Sequence, residues 1–157
     1  PTEMEIFVCN VDGSELKQIT KLGKANWAPF YHPSGEKIIF SSNHKSTRGF
    51  PFNLFMINID GSELKQVTDL GKANWAPFFH PSDEKIIFCS NHKSKRGFPF
   101  NLYMIDLDGK NLKQITYDSQ FDSFPMFSND GKKIVFSSNR NNGGTRNTNL
   151  FIADWVE

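Results

Sequence analysis

The apolar residues of this chain fall in short bursts separated by turn-forming residues. The bursts run from Asn53 to Ile59, Leu64 to Thr68, Trp75 to Phe79 and Lys85 to Ser90. Two of them alternate apolar with polar, as a half-buried strand does, and the others are apolar runs too short for a helix. No window carries a helical apolar stripe of ten or more residues. The pattern predicts four short β-strands. Asp60-Gly61 predicts a tight hairpin between the first and second, and Pro81-Ser82-Asp83-Glu84 a turn between the third and fourth. The unit then repeats: Asp12-Gly13, Asp60-Gly61 and Asp108-Gly109 lie 48 residues apart. Four strands in a period of this length are the mark of a β-propeller blade.

The copies run over residues 5–52, 53–100 and 101–148, with a C-terminal strand at 149–155. The first two share 37 of 48 residues. Identity this high follows from recent duplication or from design, so agreement between the copies in surface loops says little about function. The repeated stretch is Asp-Gly-Ser-Glu-Leu-Lys-Gln-(Ile/Val)-Thr, then Trp-Ala-Pro-Phe-(Tyr/Phe)-His-Pro-Ser, then Glu-Lys-Ile-Ile-Phe and Ser-Asn. The third copy carries Phe124-Pro125-Met126-Phe127-Ser128-Asn129-Asp130-Gly131-Lys132-Lys133-Ile134-Val135-Phe136-Ser137-Ser138-Asn139-Arg140. These motifs resemble the TolB-type propeller repeat over nearly the whole chain. Similar repeats occur in TolB, in the propellers of prolyl-oligopeptidase-like peptidases and in some lyases.

That resemblance implies a strand order. The Trp/Phe-x-Pro strand is innermost (A), followed outward by B and C, with the Leu-x-x-(Ile/Val)-Thr strand outermost (D). Read this way, residues 4–20 supply C and D, 27–68 and 75–116 supply complete blades, and 123–154 supply A, B and C. The expected fold is all-β: about three blades of four antiparallel strands, forming one propeller half over residues 1–157. Three blades do not close a ring. Two copies about a two-fold axis are expected to close a six-bladed propeller, the N-terminal outer strand of one copy completing the last blade of the other and the surplus strand, residues 4–10, being displaced or placed at an edge. The alternative is that the chain is the C-terminal half of a longer propeller.

Composition narrows the partners. A net charge of +1 gives no bulk attraction for nucleic acid, and no apolar run approaches a membrane span. Pro1-Thr2-Glu3-Met4 lacks the basic start and apolar run of a signal peptide. The family resemblance nonetheless implies an extracytoplasmic, periplasmic setting. Sixteen phenylalanines suit the packing between twisted blades. Cys9 and Cys89 occupy non-equivalent positions, and both are expected as small buried or half-buried residues without a disulfide.

In a propeller the B–C and D–A loops share one face. That face collects Lys21, Lys24, Lys45, Arg48, Lys72, Lys93, Lys95, Arg96, Arg140 and Arg146 against Asp69, Asp118 and Asp122. Solvated, lysine-rich loops would read the same way; the functional reading is capture of an anionic partner in a focused field. Asn26, Trp27, Asn74, Trp75 and Asp122 enter the innermost strand there and are expected to rim the channel mouth, ringed by His44, Lys45, Arg48, His92, Lys93, Arg96, Arg140 and Arg146. No nucleophile elbow, phosphate loop or His-Glu-x-x-His motif is present, and His44 and His92 lack an acidic cluster at metal-ligand spacing. The expectation is a non-catalytic platform with no cofactor and no metal, binding an acidic protein or peptide. The alternatives are a hydrolase or lyase using His44 and His92 on an anionic substrate, or a duplicated fragment without a ligand.

Overall fold

The computed structural model describes residues 3–47, 50–95, 97–145 and 147–156, which form thirteen strands and, among the described residues, no helix. β1 (Phe7–Val8) and β2 (Lys17–Gln18) make a two-stranded half-blade. Blade one is β3 (Asn26–Tyr31), β4 (Lys37–Ser42), β5 (Asn53–Asn58) and β6 (Lys65–Gln66). Blade two is β7 (Asn74–Phe79), β8 (Lys85–Ser90), β9 (Asn101–Asp106) and β10 (Lys113–Gln114). β11 (Asp122–Phe127), β12 (Lys133–Ser138) and β13 (Asn149–Asp154) make a three-stranded blade three. Each sheet is antiparallel with neighbours in chain order, the A-B-C-D arrangement expected of a blade.

The second strand of each blade explains how the blades hold one another. β8 is buried along both faces because a blade lies on either side of it. Successive side chains of a strand point to opposite faces. Ile86 and Phe88 therefore join the core shared with blade one, with Ile39, Leu54 and Met56. Ile87 and Cys89 join the core shared with blade three, with Leu102, Met104 and Phe136. A third core packs Ile6 and Ile19 of the half-blade on Ile38, Phe40, Phe55 and Ile57.

Three local features differ from the simple pattern. The innermost strands bulge between Trp27 and Phe30 and between Trp75 and Phe78, with Ala28 and Ala76 in the left-handed region. Pro29 and Pro77 follow, where no ladder donor is lost. The outermost strands are only two residues long, because the N–H groups of Val67 and Thr68 both turn to the Leu54 carbonyl. The Asp-Gly turns enclose three residues, not two. Asn58 N–H meets Ser62 O at 3.0 Å, Gly61 N–H meets Asn58 O at 2.9 Å, and Asp60 Oδ1 accepts the Ser62 N–H at 2.8 Å. Gly61 takes a φ of 91°, the left-handed position of a three-residue hairpin.

Two of these turns also abut the preceding sheet, and a Cβ on Gly61 would stand 3.1 Å from the Ile19 carbonyl oxygen. A Cβ on Gly109 would stand 2.6 Å from the Val67 carbonyl oxygen, whereas one on Gly13 would meet nothing. Both glycines have positive φ. Gly13→Ala is therefore expected to cost about 1 kcal/mol of left-handed strain. Gly109→Ala is expected to cost about 2 kcal/mol or more, since backbone must also move. Urea midpoints of the two variants check the difference; equal losses would mean the turn does not abut blade one.

Candidate functional site

The B–C and D–A loops meet on one face, as the blade topology requires. Ala25 N–H donates to Asn43 Oδ1 at 2.9 Å, and Lys24 Nζ donates to the Ser46 carbonyl. Blade two repeats both, with Ala73 N–H to Asn91 Oδ1 at 3.0 Å and Lys72 Nζ to the Ser94 carbonyl. Each loop is thus pinned at its base, and its tip is displayed from a rigid strand end.

Exposed Lys21, Lys24, Lys45, Lys93 and Lys95 stand on this face. Two carboxylates missed in the sequence count stand there too. Glu5 Oε1 accepts the Gly23 N–H at 2.7 Å, and Glu3 Oε1 lies near Gly23. Lys45 reaches Gln66 Oε1 at 2.9 Å across the Phe55 ring, and Lys93 reaches Gln114 Oε1 at 3.0 Å across Tyr103. These two cations therefore lie along their own blades, outward of the innermost strands. Arg48, Arg96 and Arg146 lie outside the described residues.

Asn26, Asn74 and Asp122 were expected to rim the mouth, and here the structure corrects the sequence reading. All three are buried. Asn26 Nδ2 donates to Met4 O at 2.9 Å and its Oδ1 accepts from Ser42 Oγ. Asn74 Nδ2 donates to Phe52 O at 2.8 Å and Asn53 Oδ1 at 3.2 Å. Asp122 Oδ2 accepts from Arg140 Nη2 at 2.7 Å. A buried amide must satisfy its donors internally, so Asn26 and Asn74 tie their innermost strands to the sheet before them, while the Asp122 carboxylate is held by Arg140 of its own blade. The residues completing the ties, Asn53, Asn101, Thr68 and Thr116, are functional in that structural sense, and sequence reasoning passed over them.

His44 and His92 are not brought together. His44 packs on Phe55 with ring centroids 4.4 Å apart, and His92 on Tyr103 at 4.6 Å. Burial, then the neighbouring cations Lys45 and Lys24, hold His44 below the usual histidine range; burial, Lys93 and Lys72 do the same for His92. Among the described residues no three His, Cys, Asp or Glu side chains are grouped to hold a metal ion. Arg140 takes the equivalent place in blade three, over Phe136 and Phe151.

What the face does offer is aromatic. Trp27 and Trp75 are half-buried with centroids 5.6 Å apart, and Phe52 meets both. Trp75 stacks on Phe100 at 4.7 Å. Phe50 and Phe98, one blade apart and 61% and 64% exposed, extend this ladder to the loop tips.

The cysteines separate cleanly. Cys89 is buried, its thiol pushed up to about 11 by burial, with Sγ 2.9 Å from Ser123 Oγ. Cys9, expected to be at least half-buried, is exposed, because no inner strand lies beside β1. In folded protein at pH 8 a thiol reagent is expected to label Cys9 and spare Cys89. Labelling of both without denaturant would contradict this placement.

A family profile described as the TolB beta propeller domain matches residues 53–146, more than half of the chain. The chain belongs to the TolB β-propeller domain family. TolB from Acinetobacter baumannii superposes with a TM-score of 0.78 at 22% identity, over 95% of this chain and 34% of that one. A putative TolB from Agrobacterium tumefaciens gives 0.76 at 20%, over 97% and 53%. An oligogalacturonate lyase from Vibrio parahaemolyticus gives 0.59 at 17%, over 96% and 42%. At these identities the likeness carries the fold alone. This TolB-family chain spans about a third to a half of those structures. No curated protein matches its sequence. Among the described residues, no helix is long and apolar enough to cross a membrane.

Proposed function

We propose that this chain is a non-catalytic TolB-type propeller module that captures an acidic protein or peptide segment at its loop face. One observation carries the reading. Two B–C loops, one blade apart, each present an exposed phenylalanine (Phe50, Phe98) and an exposed lysine (Lys45, Lys93) from a rigid base. Aromatic anchors flanked by cations suit an acidic segment with apolar side chains, and conserving rigidity in the loop base limits the entropy lost on binding. Membership of the TolB family supports an extracytoplasmic setting. Hydrolysis or elimination on an anionic substrate would need His44 and His92 to reach one substrate, and each instead packs on its own blade.

The probe is a decaglutamate peptide, followed by tryptophan fluorescence. Lys45→Glu with Lys93→Glu is expected to weaken its binding about tenfold or more. The variant should keep its circular dichroism, because both side chains are exposed. Unchanged affinity would remove the electrostatic part of the proposal.

A further inference from the structure

The third B–C loop is built differently from the other two. Blades one and two carry a buried serine there, Ser46 and Ser94, whose carbonyls accept from Lys24 and Lys72. Blade three has half-buried Asn142 at that position, and Gln120 in place of the lysine. Asn142 opens a tight turn. Its carbonyl accepts the Thr145 N–H at 3.2 Å and the Thr145 hydroxyl at 2.8 Å. The two central residues, Gly143 and Gly144, have φ of 63° and 81°. Positive φ at both central positions is the mark of a type I′ turn, which glycine enters without steric cost.

The Asn142 side chain folds back over this turn. Its Oδ1 accepts the Gly144 N–H at 3.0 Å, and its Nδ2 donates to the Thr145 carbonyl at 2.6 Å. The ring that Oδ1 closes runs through the Gly143 nitrogen, so the side-chain amide carbon is held on the same side as that nitrogen. Gly143 has no side chain to obstruct an approach, and the space where a Cβ would stand is empty to 4 Å. Asn142-Gly143 is also the one Asn-Gly step in the sequence.

We propose that Asn142 is a modification site, at which the Gly143 nitrogen displaces the side-chain amide nitrogen and water completes a deamidation. The Gly143 N–H gives its proton to solvent as its nitrogen bonds to the Asn142 amide carbon. The bond from that carbon to Nδ2 then breaks, and Nδ2 takes up a proton and leaves as ammonia. Water opens the resulting cyclic imide at either carbonyl, giving aspartate or isoaspartate. One water is consumed, one ammonia is released, and nothing is oxidised or reduced. The Gly144 N–H already points at Oδ1, where negative charge develops in the first step.

Other positions are closed to this reaction. Asn26, Asn43, Asn53, Asn74, Asn91 and Asn101 are buried, and each precedes a bulky residue. The Asp-Gly steps could form the same imide only from the neutral acid. The Ser14 and Ser62 hydroxyls, then their N–H groups, hold Asp12 and Asp60 below the usual carboxylate range. Lys110 does the same for Asp108, and the Ser128 hydroxyl and Lys132 N–H for Asp130. At neutral pH these carboxylates are ionised and resist attack.

The product adds a negative charge to the loop face, and isoaspartate adds a methylene to the main chain at the turn. On the capture reading above, the changed face holds an acidic segment less well. The modification itself needs no ligand, so its failure and the failure of capture are separate results.

The test incubates the full folded chain in mildly alkaline buffer and follows it by cation exchange and peptide mass mapping. The expected result is a species that elutes with Asn142→Asp, one positive charge less than the starting chain. Its peptide across Asn142 should carry the mass of an acid in place of an amide, with isoaspartate exceeding aspartate. Asn142→Gln, whose longer side chain disfavours the ring, should not change. Three results would each overturn the proposal: no such species, its formation at the same rate in Asn142→Gln, or aspartate without isoaspartate, which would exclude the imide.

Discussion

Leu102→Ala is expected to lower the stability of the folded chain by about 3 kcal/mol. Leu102 is fully buried in the core between blades two and three, with Met104 and Phe136. Truncation there loses the transfer free energy of the removed atoms and leaves a cavity that the sheets on either side cannot collapse to fill. Against a typical total of about 5–15 kcal/mol, this is a large fraction. Leu150 is the same residue at the same strand position one repeat later, and it is exposed. Leu150→Ala should change stability by less than about 0.5 kcal/mol. Urea unfolding of the two variants checks both. Equal costs would mean that β13 is not an open face.

The second large effect concerns the pair that blade three alone carries. Arg140→Ala should cost about 3 kcal/mol, because it leaves a buried carboxylate without its cation. Asp122 is fully buried, Oδ2 meets Arg140 at 2.7 Å, and Oδ1 has no hydrogen-bond partner among the described residues. Arg140 is partly exposed, with 29% of its side chain accessible, which places the loss at the lower end of the range for broken buried pairs. Blades one and two hold the same sites with asparagine and histidine: Asn26 with His44, and Asn74 with His92. Asp122→Asn with Arg140→His should therefore recover most of the loss, because it rebuilds a combination that the fold already accommodates. The thermal midpoints of the single and double variants read the result. A double variant as unstable as Arg140→Ala would show that the two sites are not interchangeable.

Much of this architecture is written in the apolar pattern. The 48-residue period and the strands Lys37–Ser42, Lys85–Ser90 and Lys133–Ser138 follow from where apolar runs and turn residues fall. The family resemblance supplied the strand order, and with it the meeting of the B–C and D–A loops on one face. The details that escaped were tertiary. Nothing local to Val67-Thr68 says that both N–H groups will share the Leu54 carbonyl and end the strand early. Asp-Gly suggested a two-residue hairpin, but the loop takes in the residue before it and puts glycine in the left-handed position.

The candidate site was less legible, for a related reason. Asn26 and Asn74 look like presented polar residues beside a tryptophan. Only the packed structure shows their amides turned inward to Met4, Phe52 and Asn53. The signal that could have found this is the recurrence of Asn53, Asn101 and Asn149 with Thr20, Thr68 and Thr116. Duplication copies every residue of a unit, structural or not, and so masks that signal. The exposed Phe50 and Phe98 were visible only as part of long loops until the structure placed them at the end of an aromatic ladder.

The most direct test of acidic capture at the loop face is the salt dependence of decaglutamate binding to the unmodified chain. The account predicts saturable binding that quenches or shifts tryptophan fluorescence and weakens steadily as salt rises from about 0.05 to 0.5 M, as screening shortens the reach of the lysines. Binding that is absent at low salt, or that does not change across this range, would contradict it.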